Sequence, residues 1–514
     1  MELNLDIGLE AGCCLIDPWA ACMEQLDRKP REGARQPNSP SGGRPSCRSN
    51  IMYRKMPKGV ERKLAEVSEA ARRQPKQKLS KLCRLMGTPE ILMYARDIVV
   101  WHARRSQRWT VRGPRFQAEL IEAKTSRWIQ RLSVRVQAGL FRFGPVCPVS
   151  IPKPSGGIRE LGVPSIKDRV VSTAMSLVLE AILDHTFLPD THGFRPGRSP
   201  FTAFTAIEGF ISSGYVFAVP LDIRKCFNNI HHHRMLALLA RLISDKDFLL
   251  LVRSVLRSPV RRGRKLEEHP VGAHQGHAVS PILMNLYLTP FDRAFRAHVD
   301  AGDFKGRCIR YADDILILCP ELADAKKALT WAKTYMENEL ALVLHEPDGG
   351  IRDLRDSTNG RADEEVINLL ECEFLGLTVG VGEHGTAVWG IATEKVSKII
   401  DQFREEVTRP MDARTAKRRL RSPRELADRF VREHREYYRP VSPETLERLD
   451  RQIRVEFTRL WPNLAATSIT SFAAPAPTRP RGRTRGRVKA EVTDSLREVG
   501  RQQSSENTTL GKST

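Results

Sequence analysis

Cys308-Ile309-Arg310-Tyr311-Ala312-Asp313-Asp314-Ile315-Leu316-Ile317-Leu318 sets two apolar runs on either side of a short polar centre. This pattern predicts two strands joined by a tight turn, with Asp313 and Asp314 at its tip. Adjacent carboxylates repel each other unless something neutralises them, and a divalent cation with oxygen ligands does so. Taken alone, Asp-Asp is most simply a polar turn. A third carboxylate changes that reading: Tyr215-Val216-Phe217-Ala218-Val219-Pro220-Leu221-Asp222-Ile223 is a second apolar run, and it ends on Asp222. Two strands converging on three carboxylates make a site for two metal ions about 3.5–4 Å apart, which clamp the attacking and leaving oxygens of a phosphoryl transfer.

Tyr311-Ala312-Asp313-Asp314, preceded by a strand ending on Asp222 with Phe227 five residues on, resembles the reverse transcriptases. The likeness is to the group II intron-type bacterial reverse transcriptase/maturase family, and it covers roughly residues 85–465. It implies an α+β fold of right-hand polymerase type, with an α-helical thumb or maturase-like domain behind fingers and palm. It also implies a metal-ligand set of Asp222, Ile223, Asp313 and Asp314 for two Mg²⁺ ions, with Mn²⁺ as a substitute. The expected partners are an RNA template, a DNA or RNA primer, dNTPs and structured intron RNA.

Composition agrees with a polyanionic partner. The chain of 514 residues carries a net charge of +22, and its pI is near 9.8. Positive charge of this size attracts nucleic acid or anionic membranes. No basic amphipathic helix with a broad apolar face supports a membrane partner. No run approaches the ~18 apolar residues of a membrane helix. The start, Met1-Glu2-Leu3-Asn4-Leu5-Asp6, lacks the basic region of a signal peptide, so a cytoplasmic location is expected. The 10 cysteines include no Cys-x-x-Cys pair and are expected to be free thiols rather than zinc ligands.

Residues 1–75 form a basic extension, rich in Pro, Gly, Ser and Arg from Arg28 to Ser49, and read as partly disordered. Residues 76–148 read as a helical extension of the fingers. Thr88-Pro89-Glu90 has an N-cap and a proline at the first helical position, and helical periodicity runs from Phe116 to Val136 with basic residues on its polar side. That side is either a solvated face or a template-binding surface.

Residues 149–385 hold the fingers and palm motifs. Val149 to Val170 reads as a hairpin turning at Ser155-Gly156-Gly157, with Lys153 and Arg159 on its arms. By resemblance, these two cations hold the nucleotide triphosphate, where they stabilise charge developing on the leaving pyrophosphate. Gly193-Phe194-Arg195-Pro196-Gly197-Arg198-Ser199 is a tight loop projecting two arginines. In similar proteins it lies between fingers and palm near the template, which makes Arg195 and Arg198 expected template contacts. Phe227 corresponds to the ring set against the sugar 2′ position, which selects deoxynucleotides. In Gln275-Gly276-His277-Ala278-Val279-Ser280-Pro281, Gln275 corresponds to a glutamine beside the nucleotide and template base, and Ser280-Pro281 opens a helix. His231-His232-His233 point in different directions and are not a metal site; His232 is expected to be structural.

One departure stands out after Trp331–Leu344, which reads as a helix and strand. Similar proteins carry a lysine soon after that strand that assists pyrophosphate departure. This chain has His345-Glu346-Pro347-Asp348-Gly349-Gly350 instead. Three readings stay open: His345 substitutes as a proton donor, catalysis is slower, or the segment is repurposed. The pattern resumes at Phe374-Leu375-Gly376-Leu377, which resembles a primer-grip turn, making Gly376 an expected primer contact.

Residues 390–464 read as an α-helical thumb. Ser422-Pro423-Arg424-Glu425 opens a helix through Tyr438, and Ser442-Pro443 opens another. In the latter, Leu446, Leu449, Ile453, Phe457 and Leu460 form a core stripe, with Arg448, Arg451 and Arg454 elsewhere on the surface. Residues 465–514 read as a disordered Arg-rich tail, and the absence of a Cys or His cluster after His434 argues against a zinc-containing nuclease. The expected activity is RNA-directed DNA polymerisation, a nucleotidyl transfer. The alternatives are an RNA-binding maturase or splicing cofactor, and a domesticated reverse transcriptase in antiviral defence.

Overall fold

The computed structural model describes residues 56–74, 76–105, 122–123, 125–152, 158–345, 350–355, 372–382, 384–408, 423–435 and 437–461. The extension up to residue 55, Lys153 and the tail from 465 lie outside the described residues. The described residues begin with helices α1 (Lys58–Arg73), α2 (Leu82–Met86), α3 (Pro89–Arg105) and α4 (Ser126–Gln137). Pro89 is the first residue of its helix, as the Thr88-Pro89 signal predicts. Helix α4 opens where the Thr125 side chain accepts a hydrogen bond from the Trp128 amide; residues 116–121 of the expected periodic stretch lie outside the described residues. It buries Ile129, Leu132 and Val136 and exposes Arg127, Arg131 and Arg135.

Strands β1 (Cys147–Pro152) and β2 (Ile158–Val163) form the expected antiparallel hairpin, with Cys147 opposite Val163. Helix α5 (Ile166–Leu183) follows, capped by Ser165, whose hydroxyl accepts from the Asp168 amide. It is buried along its whole length except at Lys167, its polar residues Asp168, Arg169 and Glu180 included, as a central core helix must be. After α6 (Pro200–Ser212) comes β3 (Phe217–Asp222), then α7 (His232–Ala240), α8 (Lys246–Leu256) and the small hairpin β4 (Val260–Arg262) with β5 (Lys265–Glu267).

Helix α9 (Ser280–Ala301) begins at the Ser-Pro pair and leads into β6 (Arg307–Tyr311), β7 (Asp314–Cys319) and α10 (Leu322–Leu340). With β8 (Arg352–Asp353), these strands make an antiparallel sheet in the order β6-β7-β3-β8. Strand β8 reaches only Phe217 and Ala218 of β3. Pro220 shares the parity of Asp222 and Arg224, whose main-chain groups bond on that side, so its ring sits in a gap in the ladder and costs no strand pairing. Phe291 and Phe295 of α9 pack on Trp331 of α10, at 5.3 and 5.7 Å between ring centroids, fastening the two helices together. The strand expected to end at Leu344 is reduced to a single bridge between Leu344 and Ile223.

A second sheet, β9 (Cys372–Phe374), β10 (Leu377–Val381) and β11 (Ala387–Gly390), precedes helices α11 (Thr393–Thr408), α12 (Pro423–Arg435) and α13 (Pro443–Leu460). Helix α12 stops before Tyr437 and Tyr438, which turn inwards and are buried. The predicted stripe of α13 is buried at Leu446, Leu449, Ile453 and Phe457, and Ser442 caps the helix. Each such apolar side chain contributes about 1.5–3 kcal/mol. The described cysteines are free thiols.

Candidate active site

Asp222, the last residue of β3, lies opposite Asp314, the first of β7, in Cα register. Tyr311 pairs with Asp314 across the hairpin, which leaves Ala312 and Asp313 as its two turn residues. All three acidic residues therefore meet at one end of the sheet. Asp313 and Asp314 are half-buried, whereas the Asp222 side chain is 71% exposed. Cys226, on the 3₁₀ turn Cys226–Asn229, reports their convergence. Burial pushes its thiol well up, and both Asp313 and Asp222 reinforce the shift against the opposing charge of Arg310.

Ala312 adopts φ 61°, a left-handed conformation that a residue with a Cβ takes only when its surroundings enforce it. Those surroundings are a buried polar network. The Arg310 guanidinium, 1% exposed, donates to both carboxylate oxygens of Asp292, to Asn285 Oδ1 at 2.9 Å and to the Ala312 carbonyl at 3.0 Å. Asn285 in turn donates to the Gly193 carbonyl at 2.7 Å, and Thr191 donates to Asp292 at 3.1 Å. The main chain of β6 continues the connection: His192 N–H donates to the Arg310 carbonyl and Arg310 N–H to that of Asp190. A Cβ on Gly193 would collide with the Ala312 nitrogen and stand 3.0 Å from the Tyr311 carbonyl carbon. The Gly193–Ser199 loop is thus packed directly onto the aspartate turn.

Arg195, expected from the sequence to project towards a template, is turned inwards. Its side chain is buried and donates to Asp184 Oδ1, to the Asp184 carbonyl and to the carbonyls of Leu188 and Thr191. Its guanidinium is committed to Asp184 and to the carbonyls around this loop. Arg198 is only half-buried.

The segments that carry Phe227 and Gln275 are joined through the main chain. The Ala273 amide donates to the Phe227 carbonyl at 2.7 Å and the Gly272 amide to the Ile230 carbonyl at 2.9 Å. His232 is structural, its Nε2 lying 2.7 Å from the Gly272 carbonyl oxygen. The glutamine loop also presses on β2, because a Cβ on Gly276 would overlap the Gly162 carbonyl. His277 anchors it from beneath: fully buried, edge-on to Phe143 at 5.3 Å, with neither ring nitrogen bonded, it is held neutral by burial with its pKa lowered to about 3. Arg159 lies on β2 opposite Ile151; its side chain, like Lys153, is outside the described residues.

Gly376 (φ 76°) and Leu375 (φ 58°) form the turn between β9 and β10, and the Tyr437 hydroxyl donates to the Leu375 carbonyl. At the acidic end of β3, the His345 amide donates to the Asp222 carbonyl at 2.8 Å, and its Nε2 stands 4.0 Å from Asp222 Oδ2. Sequence reasoning missed Arg310, Asn285 and Asp292 as the frame of the turn. The only available signal was three polar residues embedded in otherwise apolar segments.

The donor set suits a hard divalent cation. Three carboxylates face one accessible end of the sheet, while the nearby Arg310 charge is committed to Asp292. Among the described residues no group of three or more acidic, histidine or cysteine side chains is, as the side chains stand, placed to hold a metal ion. Open oxygen donors of this kind fit a hard divalent cation that keeps several of its waters and draws the carboxylates in on binding.

Residues 151–345 match the family described as reverse transcriptase (RNA-dependent DNA polymerase). The putative COX1/OXI3 intron 1 protein of Saccharomyces cerevisiae is 31% identical over 220 residues, which cover 43% of this chain and 26% of that protein. Protein YkfC of Escherichia coli is 28% identical over 46% of this chain and 61% of its own length. The group II intron-encoded protein LtrA of Lactococcus lactis subsp. cremoris is 31% identical over 32% of this chain and 28% of its own. The chain thus spans about a quarter of the length of the yeast relative it matches. Among the described residues, no helix is long and apolar enough to cross a membrane.

Proposed function

We propose that this chain, whose residues 151–345 match the reverse transcriptase family, belongs with the group II intron-type reverse transcriptases and maturases and is an RNA-directed DNA polymerase. The observation that carries the proposal is the register of Asp222 with Asp314, with Asp313 in the adjoining turn. These three carboxylates, with the main chain at Ile223, would hold two Mg²⁺ ions. When bound, the ions supply charge neutralisation for the primer 3′-hydroxyl and the departing pyrophosphate.

The chain's own residues have distinct tasks. Lys153 and Arg159 contact the triphosphate from the β1–β2 hairpin. Phe227 excludes a 2′-hydroxyl and Gln275 lines the nucleotide pocket; the shared main-chain bonds between their segments support a joint role. Arg198 approaches the template backbone, and the Gly376 turn approaches the primer. Helices α11 to α13 act as the thumb, with the exposed Arg448 and Arg451 on phosphates, a contact that is independent of sequence and sensitive to salt.

Those same exposed arginines favour one second reading, a maturase that stabilises folded intron RNA. Primer extension on an RNA template with Mg²⁺, run separately with deoxynucleotides and ribonucleotides, tests the main proposal. Incorporation of deoxynucleotides in preference to ribonucleotides supports it. Tight RNA binding without incorporation of either overturns it in favour of the maturase reading.

A further inference from the structure

We infer that His345 is a nitrogen ligand of the divalent cation held at Asp222, and that it biases this centre towards Mn²⁺ over Mg²⁺. The inference rests on the proposed metal-binding role of Asp222.

The main chain brings the two residues together. The His345 amide donates to the Asp222 carbonyl at 2.8 Å, the Leu344–Ile223 bridge lies one residue further along, and the Arg224 amide donates to the Val343 carbonyl at 2.9 Å. These three links fix the start of the His345 side chain beside that of Asp222 at the acidic end of the sheet. The side chains themselves are 54% and 71% exposed, so both are free to turn towards a common ion. Their nearest atoms, His345 Nε2 and Asp222 Oδ2, are 4.0 Å apart. That is beyond hydrogen-bond length, so the pair does not satisfy itself directly. It is within reach of a shared ion, since two donors each about 2.0–2.2 Å from a metal can be as much as about 4.2 Å apart.

The donor chemistry then sets the preference. Mg²⁺ binds oxygen almost exclusively and parts with its water reluctantly. Imidazole suits borderline transition metals, and adding one nitrogen to a carboxylate set raises their affinity more than that of Mg²⁺.

Pulsed electron paramagnetic resonance of the full chain loaded with Mn²⁺ tests this through ¹⁴N modulation from a directly bound imidazole. The wild type is expected to show it. His345→Ala and His345→Gln are expected to lose it while still binding Mn²⁺ through the carboxylates, at least about tenfold more weakly, with Mg²⁺ affinity measured by competition changing less. Bound Mn²⁺ without ¹⁴N modulation in the wild type, or modulation that persists in both variants, overturns the inference and leaves the polymerase proposal standing. Mn²⁺ binding that is unaffected by Asp222→Asn overturns both.

Discussion

Gly193 lies against Ala312 so closely that any side chain on it would overlap the backbone of the aspartate turn. Two segments more than a hundred residues apart in sequence are thereby held as one unit, with the Asn285 amide bonded to the Gly193 carbonyl and the Arg310 guanidinium to the Ala312 carbonyl. The left-handed turn that presents Asp313 is imposed from outside as much as by its own residues.

Gly193→Ala therefore displaces either the loop or the turn. It is expected to lower stability by on the order of 1–3 kcal/mol, the range of an overpacked core, and to reduce primer extension more than it reduces RNA binding. Thermal denaturation and extension rates check this. A variant with wild-type rates and stability would show that the two backbones separate freely.

The Arg310–Asp292 pair is buried, at 1% and 5% side-chain exposure. Removing one partner leaves an uncompensated charge in the core. Asp292→Ala is expected to cost about 3–5 kcal/mol, readable in denaturant melts. A loss below about 1 kcal/mol would contradict a buried, fully bonded guanidinium.

Arg195 and Arg198 should separate cleanly in experiment. Arg195→Ala removes the donor that holds Asp184 and three carbonyls, so it is expected to destabilise the chain by about 2–4 kcal/mol. Arg198→Ala is expected to leave melting nearly unchanged but to weaken template binding and lower the salt slope by about one. Reversed behaviour would return Arg195 to the template surface.

Burial lowers the pKa of His192 and His274 to about 4 and that of His277 to about 3. An unfolded histidine titrates near 6.5. Below that pH the unfolded chain takes up protons that the folded chain refuses, so the stability these groups contribute is complete above about pH 6.5 and is lost as pH falls towards their folded values. The loss approaches about 1.4 kcal/mol per pH unit for each histidine, on the order of 5 kcal/mol in all between pH 7 and 5. His277→Leu is expected to flatten the pH slope by about a third. Denaturant melts across that range decide it, and an unchanged slope would mean that His277 is not held neutral.

The sheet was legible because its strands are short apolar runs next to acids, and the β6–β7 hairpin sets Tyr311 opposite Asp314; the register of Asp222 with Asp314 is a long-range pairing of β3 with β7 that no local spacing fixes. The caps at Ser165 and Ser442 and the start at Pro89 follow local rules that tertiary contacts did not override. What local pattern could not reveal was direction. Arg195 looks like a surface cation in a Gly-Pro loop, yet it turns inwards to bond the carbonyls that this loop leaves unpaired. The strand expected at Leu344 shrinks to one bridge with Ile223, while β8 lies on that edge of β3 only at its start. The approach of His345 to Asp222 depends on that bridge, which no residue spacing encodes.

The most direct test of the account is primer extension on an RNA template by the wild type and by the chain carrying Asp313→Ala with Asp314→Ala, with RNA binding measured in parallel. The account predicts that deoxynucleotide incorporation is abolished in the variant while RNA binding is retained. Undiminished incorporation by the variant would contradict it.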